Sequence, residues 1–587
     1  MATRRRSDNN GFNLFPGEQE LVVVAKKQAG LRVSGPSIES ATGANTKSLE
    51  TLCAERGFEL VPLFGLSEDR IARRAESVES ASPDAGPLEM ALYYKVRAPE
   101  EMLEGIRQAI LNESTVEGAY IKPPSYPPFW VSQPGIVTAQ AAPNVAPPNT
   151  SDFTARQLYL DAAPGGVDAR FAWTVAGGRG DNVQIIDIEG AWRFTHEDLA
   201  QNQGGVVGGT PSPDLGWRNH GTAVVGVFGA DVNSIGVTGI CPNAHTRAIS
   251  IFGGLGSAAA IRQGADLLRP GDVMLLELHR PGPRFNFASN ANQTGFIAIE
   301  WWPDDFDAIR YAIGKGIVVV EAAGNGAEDL DAAVYETAAT GFPASWKNPF
   351  RRANRDSGAI PVGAGAPPPG THGNDHGPDR SRLGFSNWGA LIDVQGWGQE
   401  VTTTGGRHST AGDLQGGANE DVWYTDTFAG TSSASPIVVG TLGCVQGVLR
   451  AQGRIPLTPA RARALLRETG SPQQASDAAP LTQRIGNRPN LRQLIASVTD
   501  QRQWNGVQFS NSVPANETRS WFTPSWPAHW HVVWTVVPRS PLAQQAQITW
   551  KVQVQRQTDA LVTYHIHVTN LSNQPVEFEA RFAVMGW

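Results

Sequence analysis

Four residues that together could open a peptide bond stand far apart in this chain, each beside a short apolar or small-residue run. Asp187 follows Val183-Gln184-Ile185-Ile186, a run that reads as a strand. In a helix-covered parallel sheet the carboxyl end of a strand is where ligands bind, although, taken alone, an Asp that ends a strand is more often part of a turn. His220 opens Asn219-His220-Gly221-Thr222-Ala223-Val224-Val225-Gly226. The small apolar residues suit a tightly packed helix and place the ring near its N-terminus; alone, a histidine there is more often structural. Ser432 lies in Gly430-Thr431-Ser432-Ser433-Ala434-Ser435-Pro436. Pro436 fits the first turn of a helix, and Gly440, Gly443 and Gly447 mark that helix as closely packed. A serine at such a start presents its Oγ at the positive helix end, where a backbone N–H can serve an oxyanion; a plain N-cap serine is the alternative. Asn325 sits in Glu321-Ala322-Ala323-Gly324-Asn325-Gly326, after the apolar run Ile317-Val318-Val319-Val320. Its amide can donate to an oxyanion without changing charge, or it is a turn residue beside glycine. A carboxylate to orient an imidazole, an imidazole to deprotonate a hydroxyl and N–H donors for the oxyanion are the parts of acyl transfer through a serine.

The elements that must position these residues follow from composition and periodicity. Residues 151–500 alternate short apolar strands with helical stretches, which predicts an α/β fold with a doubly wound, mostly parallel sheet covered on both faces. Residues 1–18 are polar and read as a disordered tail. Residues 19–122 give the order β-α-β-β-α-β, a ferredoxin-like α+β sandwich. Residues 123–150 hold eight prolines and read as an extended linker. Residues 501–587 carry 7 of the 17 tryptophans and alternate apolar with polar, as in Ile548-Thr549-Trp550-Lys551-Val552-Gln553-Val554, which predicts an antiparallel β-sandwich. Its aromatics leave two readings open, a packed core or a face that binds a carbohydrate or protein partner.

Bulk properties exclude several classes. The chain has 587 residues, 41% hydrophobic and 18% charged, with a formal net charge of -8. That suits a multidomain globular protein and supplies no concentrated basic face for nucleic acid. The three cysteines, Cys53, Cys241 and Cys444, have neither disulfide-framework nor metal-ligand spacing. No apolar run is long enough to span a bilayer, and Met1-Ala2-Thr3-Arg4-Arg5-Arg6 is followed by polar residues rather than an apolar leader. The expectation from this is a cytoplasmic protein, with export by a route that needs no N-terminal signal left open.

The combination of motifs is more specific than its parts. Asp187, His220 and Ser432 follow the chain order Asp…His…Ser, and residues 151–500 resemble the subtilisin-like serine peptidase family. Gly221-Thr222 after His220 is similar to that family's histidine motif. Gly430-Thr431-Ser432-Ser433-Ala434-Ser435-Pro436 resembles its serine motif, with Ser433 where methionine is usual. Thr195-His196-Glu197-Asp198-Leu199 and Gly236-Val237-Thr238-Gly239-Ile240-Cys241-Pro242 resemble two further landmarks. The resemblance implies a serine endopeptidase with Asp187, His220 and Ser432 as its triad and Asn325 as oxyanion donor. It implies no cofactor for the chemistry; a structural calcium is possible in such proteins but not indicated here, and Thr371-His372-Gly373-Asn374-Asp375-His376-Gly377 reads as a solvated loop. The domain at 19–122 resembles the family's propeptides in size, position and topology, which implies a zymogen inhibited by its own N-terminal domain and cut between about 123 and 165.

Some positions depart from the family pattern. Ile188-Glu189-Gly190 follows Asp187 where Thr-Gly is usual, and Glu189 is expected to point to solvent or, less simply, to raise the pKa of His220. Glu277-Leu278-His279 stands where Ser-Leu-Gly is usual. With Gly324, these three residues are the expected substrate-binding wall. Loss of the glycine is expected to narrow the primary pocket, and Glu277 to favour a basic residue before the cut.

Overall fold

The computed structural model describes residues 18–81, 87–129, 150–499, 504–540, 542 and 544–585. Most of the expected tail and linker, residues 1–17 and 130–149, lies outside them. By contact density the chain forms two compact units. One comprises Met1–Val448 and Thr458–Leu494, the other Leu449–Leu457 and Ile495–Trp587.

The first unit is built on two main sheets, beside three two-stranded ones among the described residues. The N-terminal sheet uses β1 (Glu20–Ala25), β2 (Glu59–Pro62), β3 (Tyr93–Arg97) and β4 (Val116–Lys122) in the order β2-β3-β1-β4. Every neighbouring pair is antiparallel, and the helices are α1 (Lys47–Arg56), α2 (Glu68–Ala81) and α3 (Leu103–Ile110). The sheet order is the ferredoxin-like one, with α2 standing between β2 and β3 where the expected order β-α-β-β-α-β had no helix. The sequence of β1, Glu20-Leu21-Val22-Val23-Val24-Ala25, is apolar almost throughout because both of its faces are covered. Leu21, Val23 and Ala25 pack with Ile106 and Ile110 of α3. Val22 and Val24 join Tyr93 and Tyr120 in the core of the larger domain behind them.

That larger domain is a seven-stranded sheet. Its strands are β5 (Gln184–Glu189), β6 (Gln203–Gly208), β7 (His245–Ser250), β8 (Val273–Leu276), β11 (Val318–Ala322), β12 (Ile360–Gly365) and β13 (Val394–Trp397), with the short pair β9 (His279–Pro281) and β10 (Phe296–Ala298) lying outside it. The order is β13-β12-β11-β8-β5-β7-β6, and all of its pairs are parallel. The main helices are α4 (Leu215–Gly229), α5 (Ser257–Leu267), α6 (Pro303–Gly314) and α7 (Thr431–Ala451). Val273 to Leu276 and Val318 to Val320 are wholly buried, as central parallel strands must be. Helix α7 is apolar and long enough to cross a bilayer, but it is buried within the protein.

The second unit is the expected sandwich of two three-stranded antiparallel sheets. One is β14 (Trp504–Val513), β19 (Val576–Val584) and β16 (Val532–Pro538); the other is β15 (Thr518–Pro527), β18 (Leu561–Asn570) and β17 (Ile548–Arg556). Trp526, Trp534, Tyr564 and Phe582 pack edge to face or tilted in its core, while Phe522 and Trp550 stay exposed.

Candidate active site

Strand β5 runs two residues further than its apolar sequence suggests and ends at Glu189, not at Asp187. In a strand, residues two apart share a face. Asp187 and Glu189 therefore stand on one side of β5, with Glu189 nearer the edge where the loops gather.

The histidine is carried by α4, whose N-cap Asp214 accepts from Trp217 N. That cap starts the helix at Leu215, so His220 lies in its second turn rather than at its N-terminus. Its Nδ1 is 2.6 Å from Glu189 Oε2. The contact expected between Asp187 and His220 is thus made by Glu189 instead. Asp187 sits deeper and accepts from Trp192 Nε1 at 2.7 Å, and its Oδ1 has no partner. Nor does Glu189 point to solvent; it is wholly buried. Gly221 makes this possible, because a Cβ there would overlap Glu189 Oε1 and the Ala191 carbonyl.

Ser432 is the second residue of α7. Pro436 falls in the second turn and not the first, and having no N–H it leaves the Ser432 carbonyl without the usual helical partner. Ser432 Oγ does not reach His220, whose Nε2 is buried without a partner. It donates instead to the carbonyl of Pro128 at 2.9 Å, and Ser432 N–H donates to the same oxygen at 3.4 Å. Two residues upstream, Tyr126 exchanges both backbone hydrogen bonds with His279, at 3.0 and 3.1 Å. Residues 123–129 therefore run through the cleft as an added antiparallel strand, with the Pro128 carbonyl at the nucleophile. His279, one of the expected wall residues, is where this extended segment pairs.

Asn325 lies beside this carbonyl. Its Oδ1 accepts from Thr431 N–H and Thr431 Oγ, both at 2.9 Å, which turns Nδ2 toward the cleft. There Nδ2 donates to Gln293 Oε1 at 3.3 Å. Gly324 holds φ +96° and a Cβ would approach Asn387 Nδ2 to 2.8 Å, so only glycine fits. Gln293 was not singled out in the sequence. It sits in an irregular loop with φ +56° and donates from Nε2 to the Pro127 carbonyl at 2.9 Å; its buried side chain was invisible to motif reasoning.

Glu277 does not line a pocket for a basic residue. It is fully buried, and its Oε1 accepts from Ser435 Oγ behind the nucleophile. Leu278 is a core residue. Burial drives the carboxyl pKa values of Asp187, Glu189 and Glu277 upward, and the charge of Glu189 adds to the effect at Asp187. Burial pushes the imidazole of His220 down to about 3, which keeps it neutral and able to accept a proton.

Comparison with known proteins gives the chain a family. Residues 194–490 match the model of the subtilase family. That span holds His220, Asn325 and Ser432 and begins just beyond Glu189. Thermitase of Thermoactinomyces vulgaris is 28% identical over 52% of this chain and 86% of its own length. An alkaline protease of Alkalihalobacillus alcalophilus is 28% identical over 46% of this chain and 54% of its own length. Subtilisin E of Bacillus subtilis is 26% identical over 45% and 56%. The chain thus spans most of thermitase and about half the length of the other two. These relatives, as extracellular enzymes, overturn the expectation of a cytoplasmic protein; that expectation rested only on the lack of an apolar leader, which does not report where a protein works.

Proposed function

The chain belongs to the subtilase family of serine peptidases, and from that premise we propose that it is an endopeptidase whose nucleophile is Ser432, whose base is His220 and whose orienting carboxylate is Glu189, made with its N-terminal domain as an inhibitor. One observation carries this reading: a peptide carbonyl, that of Pro128, lies on Ser432 Oγ and on the Ser432 N–H. The oxygen of that carbonyl accepts from the nucleophile's hydroxyl and backbone N–H, so a peptide group occupies the place a substrate must take, with the hydroxyl proton directed at that oxygen rather than at His220 Nε2.

From this state the Ser432 hydroxyl must turn from the Pro128 carbonyl to His220 Nε2, and Asn325 Nδ2 from Gln293 to the oxyanion. When a substrate carbonyl carbon faces Ser432, Oγ bonds to it and its proton passes to His220 Nε2. Glu189 holds Nδ1–H, fixes the tautomer and stabilises the imidazolium. Ser432 N–H and Asn325 Nδ2 receive the oxyanion charge. His220 returns the proton to the departing amine as the C–N bond breaks, and water then releases the acyl group by the same steps. These side chains supply nucleophile, base and donors, so no cofactor is assigned.

The inhibitor role rests on the same segment. Residues 123–129 join β4 of the N-terminal sheet to the cleft, so the domain delivers its own chain across the nucleophile. The test is labelling of the purified full chain with a fluorophosphonate probe beside Ser432→Ala, with intact mass recorded over time. Labelling that is lost in Ser432→Ala, and that rises as mass is lost near residue 129, is expected. Labelling that survives the substitution removes Ser432 as nucleophile; full labelling of an intact chain removes the inhibitor.

A further inference from the structure

The segment lying in the cleft also reports what the cleft accepts. Its register is set by two contacts, Tyr126 against His279 and Pro128 against Ser432. The residue whose carbonyl meets the nucleophile is therefore proline, and the residue two positions before it is tyrosine. Pro128 is buried, and the walls nearest this register are the His279 edge, which pairs with Tyr126, and the Gly324–Asn325 loop, which donates to His279.

The space between these walls is largely filled by protein. The imidazole of His279 is wholly buried; its Nδ1 accepts from Asn325 N–H at 3.3 Å and its ring lies 4.8 Å from Phe296. From the opposite side, the Gly324 backbone is so closely faced that an added Cβ would lie 2.8 Å from Asn387 Nδ2, 3.3 Å from the Phe296 carbonyl and 3.5 Å from His279 Nδ1. A long or aromatic side chain would have to displace a buried, hydrogen-bonded ring. The upstream position differs. The Tyr126 ring lies 5.3 Å from Phe296 and its hydroxyl donates to Ser289 Oγ at 2.9 Å. Between them, Gln293 Nε2 clasps the Pro127 carbonyl, a bond that depends on no side chain of the bound segment.

Resting on the peptidase reading above, we propose that this cleft is selective for proline or another small residue immediately before the cut bond, preceded by an aromatic residue two positions upstream, and that His279 sets the first of these preferences by occupying the pocket. The substrates are thus extended, proline-rich segments of proteins rather than chains with a large apolar residue before the cut.

The chain carries its own probe of this selectivity at residue 128. In the full-length protein the rate at which a fluorophosphonate labels Ser432 measures how often the segment leaves the cleft. Pro128→Ala is expected to label about as slowly as the parent. Pro128→Phe is expected to label about tenfold faster or more, the size of effect that a misfitting side chain has in a shaped pocket. Adding His279→Gly to Pro128→Phe is expected to bring the slow rate back by opening the pocket. Pro128→Phe labelling at the parent rate overturns the proposal even if the double variant fails to fold. A chain that takes no probe in any variant overturns the peptidase reading itself, a distinguishable result.

Discussion

Glutamate carries one methylene more than aspartate, and at the end of β5 that reach brings a carboxylate to His220 Nδ1 at 2.6 Å. Asp187, two residues earlier on the same face, is already engaged by Trp192 Nε1. The two acids should therefore respond differently to the same change. Glu189→Gln offers Nδ1 an amide that can donate, favours the wrong tautomer and removes the charge that steadies the imidazolium. The expected loss in kcat is on the order of 10⁴, as for carboxylate-to-amide changes in such triads. Asp187→Asn keeps an acceptor for Trp192 Nε1 and leaves the Glu189–His220 contact in place, so a loss of less than about tenfold is expected, within the range of a modest packing change. Kinetics of both variants on one peptide decide between the acids, and equal losses would return Asp187 to the role. The protonation of His220 is a second readout. With residues 123–129 in the cleft, burial lowers the His220 pKa, so in the uncut chain its ring should stay neutral as pH falls through the ordinary imidazole value of about 6.5, followed by the NMR signals of the ring. A ring that titrates at or above that value in the uncut chain would contradict burial as the controlling influence on His220.

At the scale of elements, the positions of the reacting groups depend on where strands and helices stop. The serine and asparagine were legible because their motifs are short and local: a helix start after Gly430 and a loop after β11. The carboxylate was not, because the apolar run Val183 to Ile186 suggested a strand ending at Asp187, whereas pairing of β5 with β7 continues through Glu189 and Ser250. A buried acid at a strand end has the same local sequence as an exposed one. The clue lay on another element, in Gly221, whose missing Cβ leaves room for the Glu189 carboxylate. Gly221→Ala should therefore do more than strain a helix. Overpacking at a filled site costs typically about 1–3 kcal/mol, and the displaced group here is the one that orients the base. A lowered thermal midpoint together with a fall in kcat is expected; a fall in stability with kcat intact would show that Glu189 is free to adjust.

At the scale of the whole first unit, the N-terminal domain is held by charges as well as by Val22 and Val24. Lys122, at the end of β4, is wholly buried and lies 2.6 Å from Asp304 Oδ2, 2.9 Å from Asp305 Oδ2 and 3.5 Å from Glu20 Oε2. Arg280 of β9 reaches Glu20 and Asp305 and donates to the Pro123 carbonyl. Tyr120 donates to Asp304 at 2.9 Å. Tyr120, Lys122 and Pro123 follow one another along the chain from the sheet edge to the start of the cleft segment, so the latch and that segment share a backbone. The acids sit in the first turn of α6, where the helix dipole favours negative charge. None of this was legible from the order β-α-β-β-α-β, because a buried ion cluster depends on two domains meeting; only the unbroken apolar run of β1 hinted at a second covered face. Lys122→Met leaves Asp304, Asp305 and Glu20 short of a cation, and removing one partner of a buried pair typically costs about 3–5 kcal/mol. That cost falls on docking. Hydrogen exchange should accelerate in β1 and β4 while β8 and β11 stay protected, and Ser432 should label faster than in the parent chain. If labelling is unchanged while β1 and β4 open, the segment at Pro128 holds its place without the domain, and inhibition belongs to the strand alone.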